Sequence, residues 1–555
     1  MFSTLPTLII FHIVKSLLNE NACYSSSNRL SANNIEILMR LGQVSKTWRS
    51  ITQSQLYRCH SIQFTFTCKY IFWSAKAIQQ NLSHTTHNHQ VRQLNLTFNY
   101  RQIFTEEMLK LFDSQFPANV SFPSTRTVGI FFINLKSLPD ETPNMIQIAL
   151  QLGERIVKIA PKTSFVTLSL DECSDIESRD YWNAVNTLVA YLLKRKISAR
   201  AIFRAPYCLP SNAEDTPRHL TGLSIYWKSE ADDPIRLAHL NCSTLQKLTI
   251  YSGRSKDMSR LFIDSNSDYV AYKNLTDLDL FTKATDYSIA PNREVFANFI
   301  PFPVLERANI DIVYPFGDDV AFRGNTKTLK SITLRIDHNT QRMFITNKVF
   351  AGGRFTQLKQ VKLHSHIQFF DDIQALSDDA AVFINDIASR AEYLLLVFGD
   401  ASRLILSDFQ KNKFTNIRYL DICEVHLSVR DVLRIVKALP LIQRLKSRLS
   451  GLPAFKSMAG SSKRVSEFCR KHSRINNNFQ QWEIYYFGIG AVSFSSTYAA
   501  FLSVVCPRFT YLFLPCKYRE SYYNELLGYQ AGTFNEYSDS LQKLLSYRPT
   551  VNTDQ

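Results

Sequence analysis

Three histidines fall within six residues, in the run His84-Thr-Thr-His87-Asn-His89, and three imidazoles at that spacing have the chemistry to hold a metal ion. No cysteine or carboxylate accompanies them, and the surrounding residues are polar, so the run reads as a surface loop. His364-Ser-His366 would put two imidazoles on one face of a strand, where they read as a solvent-facing pair. Gly488-Ile-Gly490 lacks the third glycine of a dinucleotide fingerprint. The chain has no Gly-x-x-x-x-Gly-Lys-Ser/Thr phosphate loop and no Gly-x-Ser-x-Gly elbow. With no nucleophile, base and oxyanion donor set in evidence, the chain is expected to be no enzyme and to need no metal or cofactor. The chemistry left to it is recognition by side chains held on a frame.

That frame is legible as a repeat. A unit written apolar-x-x-apolar-x-apolar begins at Val91, Leu220, Leu245, Leu275, Leu305, Leu329, Leu358 and Ile417. Its central apolar residues from 223 to 361 stand at 223, 248, 278, 308, 332 and 361, in steps of 25, 30, 30, 24 and 29. Such steps match the leucine-rich-repeat period, in which each unit supplies one short strand and a segment that crosses back. A single unit cannot cover its own apolar face, so neighbours stack. The asparagine that regular repeats place after the strand is matched only by Asn99, which predicts an irregular solenoid. Helical periodicity at 145–159 and 181–194, each followed by a strand-like run at 165–170 and 197–203, predicts parallel strands with covering helices. Residues 371–390 read as another crossover helix, 494–505 and 509–514 as a last crossover and strand, and 537–545 as a capping helix.

Side chains that alternate with the leucines must point to the opposite face of the sheet. They are Tyr226, Lys247, Tyr251, Asp277, Asp279, Arg335, Lys362, His364, Tyr419 and Asp421. Tyrosine and arginine are frequent anchors at interfaces, so this row is the candidate substrate-binding surface.

The first sixty residues differ in kind. Leu5-Pro6 opens a predicted helix with Leu5, Leu8, Ile9, His12, Ile13, Ser16 and Leu17 on one face. A second, N-capped by Ser31, aligns Ile35, Leu38, Leu41, Val44 and Trp48 and ends in Val-Ser-Lys-Thr-Trp-Arg; a short turn with Leu56 and Tyr57 follows. Two stripes this dense exceed what so small a unit can bury within itself, so part of that surface is expected to seek another protein. A secretory signal fits poorly, because His12 and Lys15 interrupt the apolar run and no basic residue precedes it.

This segment resembles the F-box: a Leu-Pro start, an apolar helix, a Val-x-x-x-Trp-Arg helix and a closing leucine-aromatic turn. The residues that carry the resemblance are Leu5, Pro6, Ile9, Ile13, Leu17, Leu41, Val44, Trp48, Leu56 and Tyr57, about a tenth of the chain. The polar link from Asn19 to Arg29 is longer than the family usually has. With the repeats behind it, the chain is similar to F-box substrate receptors. The resemblance implies that Leu5, Pro6, Ile9, Ile13, Leu17, Leu41, Val44, Trp48 and Leu56 dock on the small acidic adaptor of a cullin-RING ubiquitin ligase while the solenoid binds a protein substrate. The expected fold is α/β: an all-α F-box hairpin over 1–60, a degenerate leucine-rich-repeat-like solenoid with parallel strands over 61–450, and an irregular repeat and cap over 451–555. An ordinary helical hairpin leading a ligase-independent scaffold is the alternative reading of the same residues.

Composition bounds the partners. The 555 residues carry 64 basic and 48 acidic side chains, a net charge of +16, and 45% are apolar. The positive excess favours acidic partners, but apart from the tract Lys456 to Arg474 it is spread along the chain, so nucleic acid is not the expected ligand. No stretch approaches the ~20 apolar residues of a membrane span. Ten scattered cysteines without a Cys-x-x-Cys pair read as reduced thiols, which points to an intracellular protein, cytoplasmic or nuclear.

Overall fold

The computed structural model describes residues 40–52, 62–67, 89–99, 104–133, 144–170, 179–203, 209, 216–227, 233–252, 258–282, 299–312, 322–336, 348–350, 354–365, 382–397, 414–449, 478–484 and 511–513, apart from a few single positions within them. They belong to two compact units, Met1–Leu275 and Thr276–Gln555. The whole of the expected first helix, residues 31–39 of the second, the crossover at 494–505 and the cap at 537–545 lie outside the described residues, as do both expected domain boundaries.

Among the described residues the first unit has the strands β1 (Ile62–Thr67), β2 (Gln93–Asn99), β3 (Thr127–Ile133), β4 (Phe165–Leu170), β5 (Ser198–Phe203), β6 (Gly222–Trp227) and β7 (Lys247–Ser252). Each pairs with the next in chain order, always parallel. Among the described residues the helices α1 (Glu106–Gln115), α2 (Met145–Ile159), α3 (Arg179–Lys194) and α4 (Asp233–Leu240) cross between them. The second unit repeats the scheme with β8 (Asp277–Thr282), β9 (Arg307–Ile312), β10 (Ser331–Ile336), β11 (Gln360–Ser365), β12 (Tyr393–Val397), β13 (Tyr419–Leu427), β14 (Arg444–Leu449), β15 (Gln481–Ile484) and β16 (Tyr511–Phe513), again parallel and in order. Helix α5 (Val429–Ala438) crosses from β13 to β14. Each unit is thus α/β and solenoid-like, as the repeat period predicts. Among the described residues no helix is long and apolar enough to cross a membrane.

Strands of this kind need an apolar row through which neighbours stack. In the second unit Leu278, Ala308, Ile332, Val361, Leu394, Leu420 and Leu445 stand in register, every one buried. In the first unit Leu96, Ile130, Leu168, Ala201, Leu223 and Leu248 form the equivalent row. Leu94, in the same motif position as Leu223, pairs instead with Val128, one row earlier, so the register of the early strands is offset by two residues. The row beyond mixes Phe98, Phe132 and Phe203 with aliphatic residues. Phe98 stacks on Phe132 at 5.1 Å and on Phe112 of α1 at 6.4 Å, and Trp182 of α3 meets Phe203 edge-on at 5.3 Å.

The helices follow from their own patterns. Thr105 caps α1 by accepting from the Met108 N–H at 3.2 Å, with Glu106 and Glu107 in the first turn, where the helix dipole favours them. Helix α2 occupies the residues the periodicity indicates, and Met145, Ile148, Ala149, Leu152, Ile156 and Ile159 are its buried stripe. Gly153 lets it approach α3: a Cβ there would come 2.7 Å from the Tyr191 ring.

A leading turn sets many of the strands in place. The buried carbonyls of Tyr272, Phe302, Phe355 and Phe414 accept from the N–H three residues on, at Leu275, Leu305, Leu358 and Ile417, over 3.2–3.5 Å. Asn241 and Asn325 do the same for Thr244 and Thr328 at 3.0 Å and also accept from Leu245 and Leu329. The Asn241 side chain, fully buried, accepts from the Leu220 N–H and donates to the Pro217 and Leu237 carbonyls, all at 2.9 Å.

One expectation at the N-terminal end is corrected. Residues 40–52 do not continue a single helix through Val44 to Arg49. Gln43 and Val44 form a turn on Arg40 and Leu41, and Ser45 starts a new helix, its Oγ accepting from the Trp48 N–H at 3.3 Å and its carbonyl from the Arg49 N–H at 2.9 Å. A serine mid-pattern competes with the backbone and favours such a start.

Two substitutions test this architecture by denaturation. Leu278→Asp, which buries an unpaired carboxylate in the stacking row, is expected to cost several kcal/mol and unfold the second unit, whereas Asp279→Lys on the opposite face changes stability by less than about 1 kcal/mol. Asn241→Ala, which orphans three buried backbone groups, is expected to cost about 3 kcal/mol.

Candidate protein-interaction face

The side chains opposite the leucine rows lie where the alternation puts them, but the two units use that face differently. In the first, the face is closed by its own residues: Asn95, Thr97, Ser169, Ser224 and Thr249 are all buried. Gly129 leaves room for Asn95 and Phe131, whose atoms a Cβ would meet at 2.5 Å, and Gly222 leaves room for the Arg200 stem at 2.7 Å. Of the expected residues, Tyr226 and Tyr251 pair in register, half-buried, and Lys247 lies half-buried beside Gly222.

In the second unit the face carries larger and more accessible groups. Tyr393 and Tyr419 stack face to face, centroids 4.6 Å apart and planes 6° from parallel. The Lys362 ammonium sits 5.6 Å from the centre of the Tyr393 ring, a cation–π contact. Ser331 donates to Gln360 at 3.3 Å in the same row. Arg335 is exposed and His364 half-buried, in register with each other and with Val397. A continuous patch results, with a rigid aromatic pair at its centre and polar groups around it, the composition of a protein-contact surface.

Two expected members turn inward. Asp421 is 4% exposed and ion-paired with Lys446 at 3.6 Å, so it braces β13 against β14 and meets no partner. Asp277 is held by the Arg307 guanidinium and accepts from the Thr276 hydroxyl at 2.9 Å. The same contact raises the Arg307 guanidinium above its ordinary value, first through the Asp277 hydrogen bond. Asp279 is half-buried in the row of Lys362. Tyr393 and Leu395 on β12 were not foreseen; the motif there reads Ala391-Glu-Tyr-Leu394-Leu-Leu396, and the small alanine hides it.

Of the expected adaptor-docking residues, Leu41, Val44 and Trp48 are described; Leu5, Pro6, Ile9, Ile13, Leu17 and Leu56 lie outside. Val44 is 46% exposed and Trp48 is 3% exposed, so a partner can touch the valine while the tryptophan holds the local fold. No set of three metal-capable side chains comes together among the described residues; His89 is exposed, while His84, His87 and His366 are not described. Cys242 is a free thiol whose pKa burial pushes up, which lowers its thiolate fraction at neutral pH.

The chain matches no protein-family model and no curated protein.

Tyr419→Ala is expected to cost about 1 kcal/mol in a denaturation experiment, the worth of one stacked pair. Asp421→Ala should destabilise the unit more than Arg335→Glu does, because it leaves the Lys446 ammonium, 22% exposed, without its partner.

Proposed function

We propose that the chain is a non-catalytic adaptor: its N-terminal helical segment docks, F-box fashion, on the small acidic adaptor of a cullin-RING ubiquitin ligase, and its strand stack presents a protein substrate to that ligase inside the cell. The observation that carries the substrate half is the Tyr393–Tyr419 stack with Lys362 against it, an aromatic anchor of low conformational entropy on a hydrogen-bonded frame. The adaptor half is supported by the Leu-Pro and Val-x-x-x-Trp-Arg residues and by the exposed Val44 beside the buried Trp48. A ligase-independent scaffold would use the same face and have no need of Val44.

The test is calorimetric titration of the intact protein with the purified acidic adaptor. Each large apolar side chain lost from such an interface is worth roughly 1.5–3 kcal/mol, so Leu5→Ala combined with Val44→Asp should weaken binding a hundredfold or more. Val44→Asp alone should keep the parent's melting behaviour, since Val44 is exposed, and should itself weaken binding. Equal binding by parent and variant would leave the scaffold reading standing alone.

A further inference from the structure

The edge of the second unit from which the strands start carries its own charge pattern. The residue just before each strand donates its N–H to the carbonyl of its counterpart one strand back: Lys330 to Glu306, Lys359 to Lys330, Glu392 to Lys359 and Arg418 to Glu392, over 2.7–2.9 Å. Their side chains therefore form a line spaced by the inter-strand distance of about 4.8 Å. Lys330 pairs with Glu306 at 2.7 Å, and Glu392 is shared between Lys359 at 3.0 Å and Arg418 at 3.9 Å. Every cation of the line is exposed, while both carboxylates are half-buried. The three cations are more exposed than the two carboxylates and outnumber them, so the line carries a net positive charge.

Beside Glu392 the line opens into a cleft of about 360 Å³ lined by Lys359, Arg390, Glu392 and Arg418, with Leu358 and Leu441 as its apolar part. Arg390 is exposed and has no ion-pair partner among the described residues; Lys327, on the turn before β10, is exposed likewise. Leu441 is 38% exposed, a leucine facing water at the mouth of a charged cleft. Arg418 and Lys359 are oriented by the carboxylate they share, so their remaining N–H groups are already placed to receive a second anion.

We propose that this rim binds an acidic peptide segment of a protein partner, carboxylates meeting Arg390, Lys359 and Arg418 and an apolar residue resting on Leu441. A peptide suits the site better than a nucleic acid because Glu392 interrupts the positive line. A phosphodiester backbone, charged at every residue, would have to cross it, whereas a peptide can set a neutral or apolar residue there. The inference does not depend on the ligase reading, since a scaffold would have the same rim.

The experiment is fluorescence anisotropy on the full chain with a labelled peptide of about ten residues rich in Glu, Asp and Leu, its Gln/Asn counterpart, and a labelled single-stranded oligonucleotide. Expected are binding of the acidic peptide alone, loss at high salt, and about tenfold weakening in Arg390→Glu with a smaller effect in Arg390→Ala. Both variants should melt like the parent, and Lys110→Glu, on the exposed side of α1 in the first unit, should bind like it. Absence of peptide binding, or binding that Arg390→Glu leaves unchanged, overturns the proposal. An oligonucleotide bound more tightly than the peptide, with the same sensitivity at Arg390, overturns it in favour of nucleic acid.

Discussion

The interaction on which the rest depends is the turn that launches each strand. A parallel sheet has no hairpin to set its register, so each strand must be aligned by whatever precedes it. Here a buried carbonyl, of an aromatic residue such as Phe302, Phe355 or Phe414 or of Asn241 or Asn325, accepts the N–H three residues on, and a residue one or two places later donates to the strand before. One residue of slip would drive the leucines to the wet face and the tyrosines into the core, and the buried aromatic ring prevents it by filling a fixed place. Phe322, Phe350, Phe355 and Phe383 pack against one another at 5.3–6.4 Å for this reason. The ladder opens the same way from unit to unit, two successive N–H groups sharing one carbonyl of the strand before, as Lys330 and Ser331 share that of Glu306.

This explains which parts of the fold could be read in advance. The strands beginning at Gly222, Lys247, Asp277, Arg307, Ser331, Gln360 and Tyr419 follow leucines or isoleucine at fixed intervals, and parallel stacking is the arrangement that covers them. Strands β3, β12 and β14 were opaque because one member of the motif is small or polar: Thr125, Ala391 and Ser447. Thr125 holds its place through a hydrogen bond from its hydroxyl to the Val91 carbonyl at 3.1 Å, which substitutes polar satisfaction for apolar bulk. The aromatic three residues ahead of the motif, at Tyr272, Phe302, Phe355 and Phe414, was present in the sequence and is the signal that extends the repeat.

The interaction face was half legible for a related reason. Alternation tells which residues face away from the core, but not which of them neighbours cover. Asn95 and Arg200 lie down over glycines one strand away, and Asp421 is claimed by Lys446; cross-strand partners of this kind are set by register, which only the structure supplies. The basic rim was invisible for the same reason, since Lys330, Lys359, Arg390 and Arg418 are scattered over ninety residues and meet only when the strands align. The net charge of +16 announced an acidic partner without saying where it would sit.

The central claim, a stack that carries a partner while its N-terminal helices are held by a ligase adaptor, is tested most directly by quantitative affinity purification of the intact chain beside a version lacking residues 1–60. The account expects a small acidic adaptor and a cullin with the intact chain, their loss from the truncated one, and a further protein retained by both. An adaptor absent from the intact chain, or recovered equally with the truncated one, would contradict it.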